Sequence, residues 1–163
     1  MSDVDEGTHA IDLHVVVMGS ATETLLSNLA HAEREGGDVR MRLGTVQGWT
    51  PTLHFHAFGH DPWSGDGADG ERLAEVVPKM DALILTDGHG HGYSSNAVEH
   101  LTRLLKPAKI GVPAAVFGSA VLAQEWASQA NRPPVHQAES DPDRAMEVVK
   151  AIAKPMLKAL QAR

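Results

Sequence analysis

Leu13-His-Val-Val-Val-Met-Gly-Ser-Ala-Thr-Glu-Thr24 is the stretch whose reading decides the fold. Its first six residues are mostly apolar and β-branched. A run of that length and composition reads as a central strand buried on both faces. Gly19 ends it. Ser20-Ala-Thr-Glu23 then has the form of a capping box, with the serine and the glutamate satisfying each other's exposed backbone donors. A helix is predicted from Ser20 to Gly36, with Leu25, Leu26, Leu29, Ala30 and Ala32 as its apolar stripe and Gly36-Gly37 as its stop. Strand, glycine and helix N-terminus form the first unit of an α/β sheet. They also form a setting in which backbone N–H groups meet phosphate.

The same rhythm continues along the chain. Val39 to Val46 and Leu53 to Phe58 have strand composition and are separated by Gly48-Trp-Thr-Pro51, which predicts an antiparallel hairpin. Asp61 to Gly70 is a Gly/Asp-rich loop. Helices are predicted over Glu71–Lys79, Ser95–Leu105, Ser119–Gln129 and Asp141–Leu160, the last with Pro155 inside it. Strands are predicted over Asp81–Asp87, Lys109–Phe117 and Val135–Ala138. Alternation of this kind predicts a three-layer α/β/α domain with a mostly parallel six-stranded sheet and one antiparallel edge strand. Residues 1–11 are polar and acidic and read as a disordered tail. Residues 12–163 read as one domain.

Composition narrows the function. In 163 residues, 14 Lys and Arg stand against 21 Asp and Glu, a net charge of −7. That balance argues against a sequence-blind nucleic-acid binder. The absence of Cys excludes disulfides, thiolate metal sites and a Cys nucleophile. The apolar runs are too short to cross a bilayer, and no secretory leader is evident, so a cytoplasmic location is expected. Ten His are left unexplained by composition.

Gly19 to Leu26 invites comparison with G-x-x-x-x-G-K-[ST], whose lysine meets phosphate and whose hydroxyl meets magnesium. Here the first glycine stands. Thr24 replaces the second, Leu25 the lysine and Leu26 the hydroxyl residue, and Glu23 adds a negative charge. Gly19, Ser20, Thr22 and Thr24 thus make a degenerate phosphate loop. Ser20 and Thr22 also suit plain helix capping.

From residue 12 to 162, in element order and length, the chain resembles the Ras-like small GTPases. Within them it is most similar to the bacterial Mgl-type gliding-motility and polarity GTPases. His136-Gln-Ala-Glu-Ser and Ala145-Met-Glu-Val-Val-Lys-Ala-Ile-Ala-Lys-Pro-Met-Leu resemble the family's last strand, loop and helix. His56-Ala-Phe-Gly59 matches its D-x-x-G, with His56 in place of the magnesium-linked Asp and His60 in place of the catalytic Gln. Ser119-Ala-Val-Leu122 falls on its guanine-reading N-K-x-D and keeps none of the three reading residues. The resemblance implies a Ras-like P-loop NTPase fold from which nucleotide chemistry has been lost.

In the Ras-like order that the resemblance implies, the loops carrying His56, His60, Asp87, His89 and His91 open at one sheet edge beside Gly19, where these residues would approach one another. Three readings are open for them: a zinc site, unliganded loop imidazoles, or a face that changes charge with pH. Asp87, at a strand end, is equally placed for a structural role. Thr45, Trp49, Trp63 and Tyr93 are the candidate interaction residues. Exposed Trp anchors interfaces, and the alternative is that each folds back to plug the vacant nucleotide site. The function expected is a pseudo-GTPase that docks proteins: a GTPase, a GTPase regulator or a second copy. No cofactor is expected. The alternatives are weak nucleotide binding, or a divergent metal-dependent hydrolase using His56, His60 and Asp87 with zinc.

Overall fold

The computed structural model describes residues 9–45, 48–64, 67–88 and 92–161. Its frame is a seven-stranded sheet of β1 (His9–Gly19), β2 (Ala32–Glu35), β3 (Asp38–Arg42), β4 (Trp49–Phe58), β5 (Met80–Thr86), β6 (Ala114–Phe117) and β7 (His136–Ala138). The strand order is β2-β3-β4-β1-β5-β6-β7. β4, β1, β5, β6 and β7 are parallel. β3 runs antiparallel to β4, with Val39 opposite Phe55 and Met41 opposite Leu53. β2 turns back antiparallel on β3 and forms the edge.

Alternation along the strands divides the core. Leu13, Val15 and Val17 of β1 join Leu53, Phe55, Ala82 and Ile84 on one face. There they meet α1 (Thr22–Leu26) through Leu25 and Leu26, and α5 (Ala145–Gln161) through Val148, Ile152 and Met156. Val16, Met18, Leu83 and Leu85 face the other way. They pack under α2 (Ala68–Val76), α3 (Ser95–Leu105) and α4 (Ala120–Ala130) through Leu73, Val98, Leu101 and Trp126. Trp126 is buried, and its indole N–H has no hydrogen-bond partner among the described residues. Among the described residues no helix is long and apolar enough to cross a membrane.

Three expectations are corrected. The sheet has seven strands, not six, because the predicted first helix stops early. α1 ends at Leu26, His31 adopts a left-handed φ of 57°, and residues 32–35 become a strand. Gly36-Gly37 is therefore a hairpin turn, not a helix stop, with Gly36 at φ 66°. Cross-strand ion pairs from Arg40 to Glu33 (2.8 Å) and Glu35 (3.1 Å) hold the new strand. The capping box is not made: α1 has Ala21 at its N-cap and no side-chain capping bond. His9, Ala10 and Ile11, expected in the tail, instead pair with Trp49, Thr50 and Pro51, while residues 1–8 lie outside the described residues.

Candidate functional site

The carboxyl ends of β1, β4, β5 and β6 meet at one edge of the sheet, the position at which open α/β sheets bind ligands. Gly19 is at φ 130°, and a Cβ there would fall 2.0 Å from the Thr86 carbonyl oxygen. Only glycine fits this approach of β1 to β5. Thr86 Oγ1 accepts from the Ala21 N–H (3.1 Å) and donates to the Met18 carbonyl (3.2 Å). Thr22 Oγ1 lies 2.9 Å from the Gly19 carbonyl and 3.0 Å from that of Phe58. Ser20 Oγ accepts from the Gly88 N–H at 2.9 Å. The hydroxyls of Ser20 and Thr22 thus tie β1 to its neighbours. Thr24 is half-buried in α1.

Only Ser20 and Ala21 separate β1 from α1. Leu25, at the lysine position, is fully buried, and Leu26, at the hydroxyl position, is 3 % exposed. Both face the α5 side of the core. These residues do not fit a magnesium nucleotide held in the G-x-x-x-x-G-K-[ST] manner, which requires an ammonium and a hydroxyl turned to the ligand.

Asp87 closes the next strand end. Its buried carboxylate accepts from the Ser119 N–H (2.7 Å) and the Ser119 hydroxyl (2.6 Å). Ser119 in turn accepts from the Leu122 N–H and caps α4. A Cβ on Gly118 would fall 2.0 Å from Asp87 Oδ1. Where the resemblance places base-reading residues, a carboxylate and a serine bind each other. A space of about 10 Å³, room for about one water, is lined there by Gly19, Thr86, Tyr93, Ser94, Leu122 and the exposed His60.

The candidate interaction residues separate. Trp63 packs on α2 and α3 and is not among the residues lining that space: a Cβ on Gly70 would fall 2.8 Å from its ring, and it tilts against His100 at 5.1 Å. Asp61 holds the same loop, accepting from the Trp63 N–H (3.1 Å) and the Ser94 hydroxyl (3.5 Å). Tyr93 is half-buried and donates to Glu125 (3.3 Å); burial and that carboxylate push its phenol pKa up. Trp49 packs on the α1/α5 core, 5.3 Å from the His9 ring. Thr45 is exposed, and its hydroxyl lies 3.1 Å from that of Thr50.

His56 sits mid-strand in β4, opposite Val16, with its ring on the α2 face. Asp87 is engaged by Ser119, and His89 and His91 lie outside the described residues. Among the described residues no group of three or more His, Asp or Glu is arranged to hold a metal ion.

What the structure does assemble is a histidine cluster that includes His14. His14 and His54 are paired across β1 and β4. The His14 ring stacks at 5.2 Å from both His54 and His56, and His14 Nδ1 lies 2.9 Å from His56 Nε2. His54 Nε2 meets Asp12 at 2.8 Å. The His14 pKa is lowered, first by burial and then by His54 and Lys79. The His56 pKa is lowered by burial and by His14, Lys79 and His54, against the opposing pull of Asp38.

Comparison with solved structures places this frame. The chain is similar to Era from Aquifex aeolicus bound to GDP and aluminium fluoride, with a TM-score of 0.54 and 17 % identity over 88 % of this chain and 56 % of that one. This is a GTPase-type fold. A second Era structure, in complex with MgGDPNP and nucleotides 1506–1542 of 16S ribosomal RNA, matches with a TM-score of 0.53 and 17 % identity over 90 % and 57 % of the two chains. The chain therefore spans a little over half the length of these GTPases. No family model and no curated protein matches it.

Proposed function

We propose that this GTPase-type domain is a Ras-like pseudo-GTPase, most similar within that superfamily to the Mgl-type polarity GTPases, and acts in the cytoplasm as a protein-docking or regulatory module. One observation carries the reading. The residue at the phosphate-lysine position, Leu25, is a fully buried core side chain just after a two-residue connection. Refitting that position for phosphate would mean dismantling the core. The Asp87–Ser119 pair and Trp63, packed on α2 and α3, support the same view. A domain whose switch-like loop is pinned by its own side chains offers partners one surface rather than two. Partners fitting the reading are a GTPase, a GTPase regulator or a second copy. The surface runs from Thr45 through Trp63 to Tyr93, with exposed Thr45 and His60 as accessible points.

Thermal unfolding with and without GTP, GDP or ATP and Mg²⁺ tests this. A ligand of the native state must raise the melting temperature. The expected result is no shift at millimolar nucleotide. A reproducible rise with any of them overturns the reading.

A further inference from the structure

The histidine cluster lies on the sheet face toward α2, away from the strand ends. One ring of the His14–His56 pair donates and the other accepts across 2.9 Å. At least one ring must therefore be neutral, because two imidazolium rings present only donors. On its other side, His56 Nδ1 lies 3.6 Å from Asp38 Oδ2 of β3. Asp38 is shared: Oδ1 lies 3.6 Å from Arg72 of α2 and accepts from the Ala57 N–H at 3.0 Å. Arg72 also donates to the Ala57 carbonyl, sits 4.0 Å over the Phe58 ring and lies 3.6 Å from Asp69. α2 is thus fastened to β3 and β4 by an arginine whose carboxylate partner is also within reach of His56.

We propose that His14 and His56 form a proton-operated latch on α2. While at least one ring is neutral, the pair is bonded and Asp38 is left to Arg72. When both rings are protonated they present only donors, the pair breaks, and His56 turns to Asp38, which then releases Arg72 and the helix it holds.

The surrounding groups are consistent with this. Asp12 on β1, Asp81 on β5, Lys79 in the turn after α2 and His54 on β4 act on His14; Asp38, Lys79, His54 and His14 act on His56. Of the carboxylates, Asp12 is taken up by His54, and the Asp81 side chain accepts from the His14 backbone N–H at 2.9 Å. Asp38 is the acceptor at His56. Solvent reaches the cluster from a polar groove of about 490 Å³ that includes Asp12 and His54 in its lining. Both ring pKa values are lowered, so the folded state holds fewer protons than the unfolded state. The latch is closed above the ordinary histidine value of 6.5 and opens as pH falls below it.

Hydrogen exchange of the full chain at pH 7.5 and 5.5, with EDTA present and intrinsic rates corrected, tests the proposal. α2 amides (68–76) are expected to gain about fivefold in opening equilibrium at the lower pH, the factor corresponding to one lost hydrogen bond. α3 and α5 should stay unchanged. His56→Gln bonds without titrating, and Asp38→Asn still accepts from Ala57 without the charge; each should abolish the acid response of α2. A uniform rise over all helices, no rise in α2, or a response that survives in whichever variant folds overturns the latch.

Discussion

Leu25 is the residue on which the proposed loss of nucleotide chemistry rests. Restoring the sequence pattern with Leu25→Lys should not restore phosphate binding. It should bury an ammonium in an apolar core, at a cost of at least about 3 kcal/mol, read as a fall in the urea midpoint with no gain in nucleotide affinity. Gly19 makes a similar point about geometry. A methyl there meets the Thr86 carbonyl at 2.0 Å, on a backbone with φ 130°. Gly19→Ala should therefore cost about 2 kcal/mol or more, seen as a lower melting temperature. The glycine is needed for a strand-end approach whether or not phosphate is bound. At this scale the sequence carries the proposal, since Leu25, Leu26 and Ser119 to Leu122 stand where the resemblance would have phosphate- and base-reading residues. It was uninformative about His14. In Leu13-His-Val-Val-Val-Met18 that histidine looks like an impurity in an apolar run. Only the pairing of β1 with β4 puts it opposite His54 and against His56, and strand partners 40 residues apart leave no local signal.

Among the elements, β1, β5, α3 and α4 were legible because burial on two faces, or an apolar helical stripe, fixes their character. The segment after α1 was not. Ala32-Glu-Arg-Glu35 has good helix formers, and two glycines after them look like a C-cap. The outcome turned on charge placement. Arg40 lies across from Glu33 and beside Glu35 on β3, whereas Arg34, pointing the other way, pairs with Glu23 of α1. Non-local pairing outweighed local propensity. The turn should carry that balance. Gly36→Val forces a β-branched residue to φ 66° and should cost about 1–2 kcal/mol. Because β2 is an edge strand, the loss should appear as faster hydrogen exchange over residues 32–42, with α5 unaffected. Unchanged exchange in that hairpin would mean the turn does not hold β2.

For the whole molecule, strand–helix alternation was enough to predict a layered α/β domain, and the Era-like frame agrees with it. The extra edge strand leaves β3 as the single reversed strand, now inside the sheet. The sheet itself separates two apolar cores that share no side chain, one under α1 and α5 and the other under α2, α3 and α4. The tryptophans divide between them: Trp49 lies against the first, Trp63 and Trp126 in or against the second. The protein therefore carries its own optical labels, one set for each layer. Trp126, buried with an unpartnered indole N–H, should emit at the blue end of the tryptophan range. In variants keeping only Trp49 or only Trp126, coincident denaturation curves would show the layers melting as one body. Separate curves would mean that the sheet acts as a partition, and that one side of this domain can come apart while the other stays in place.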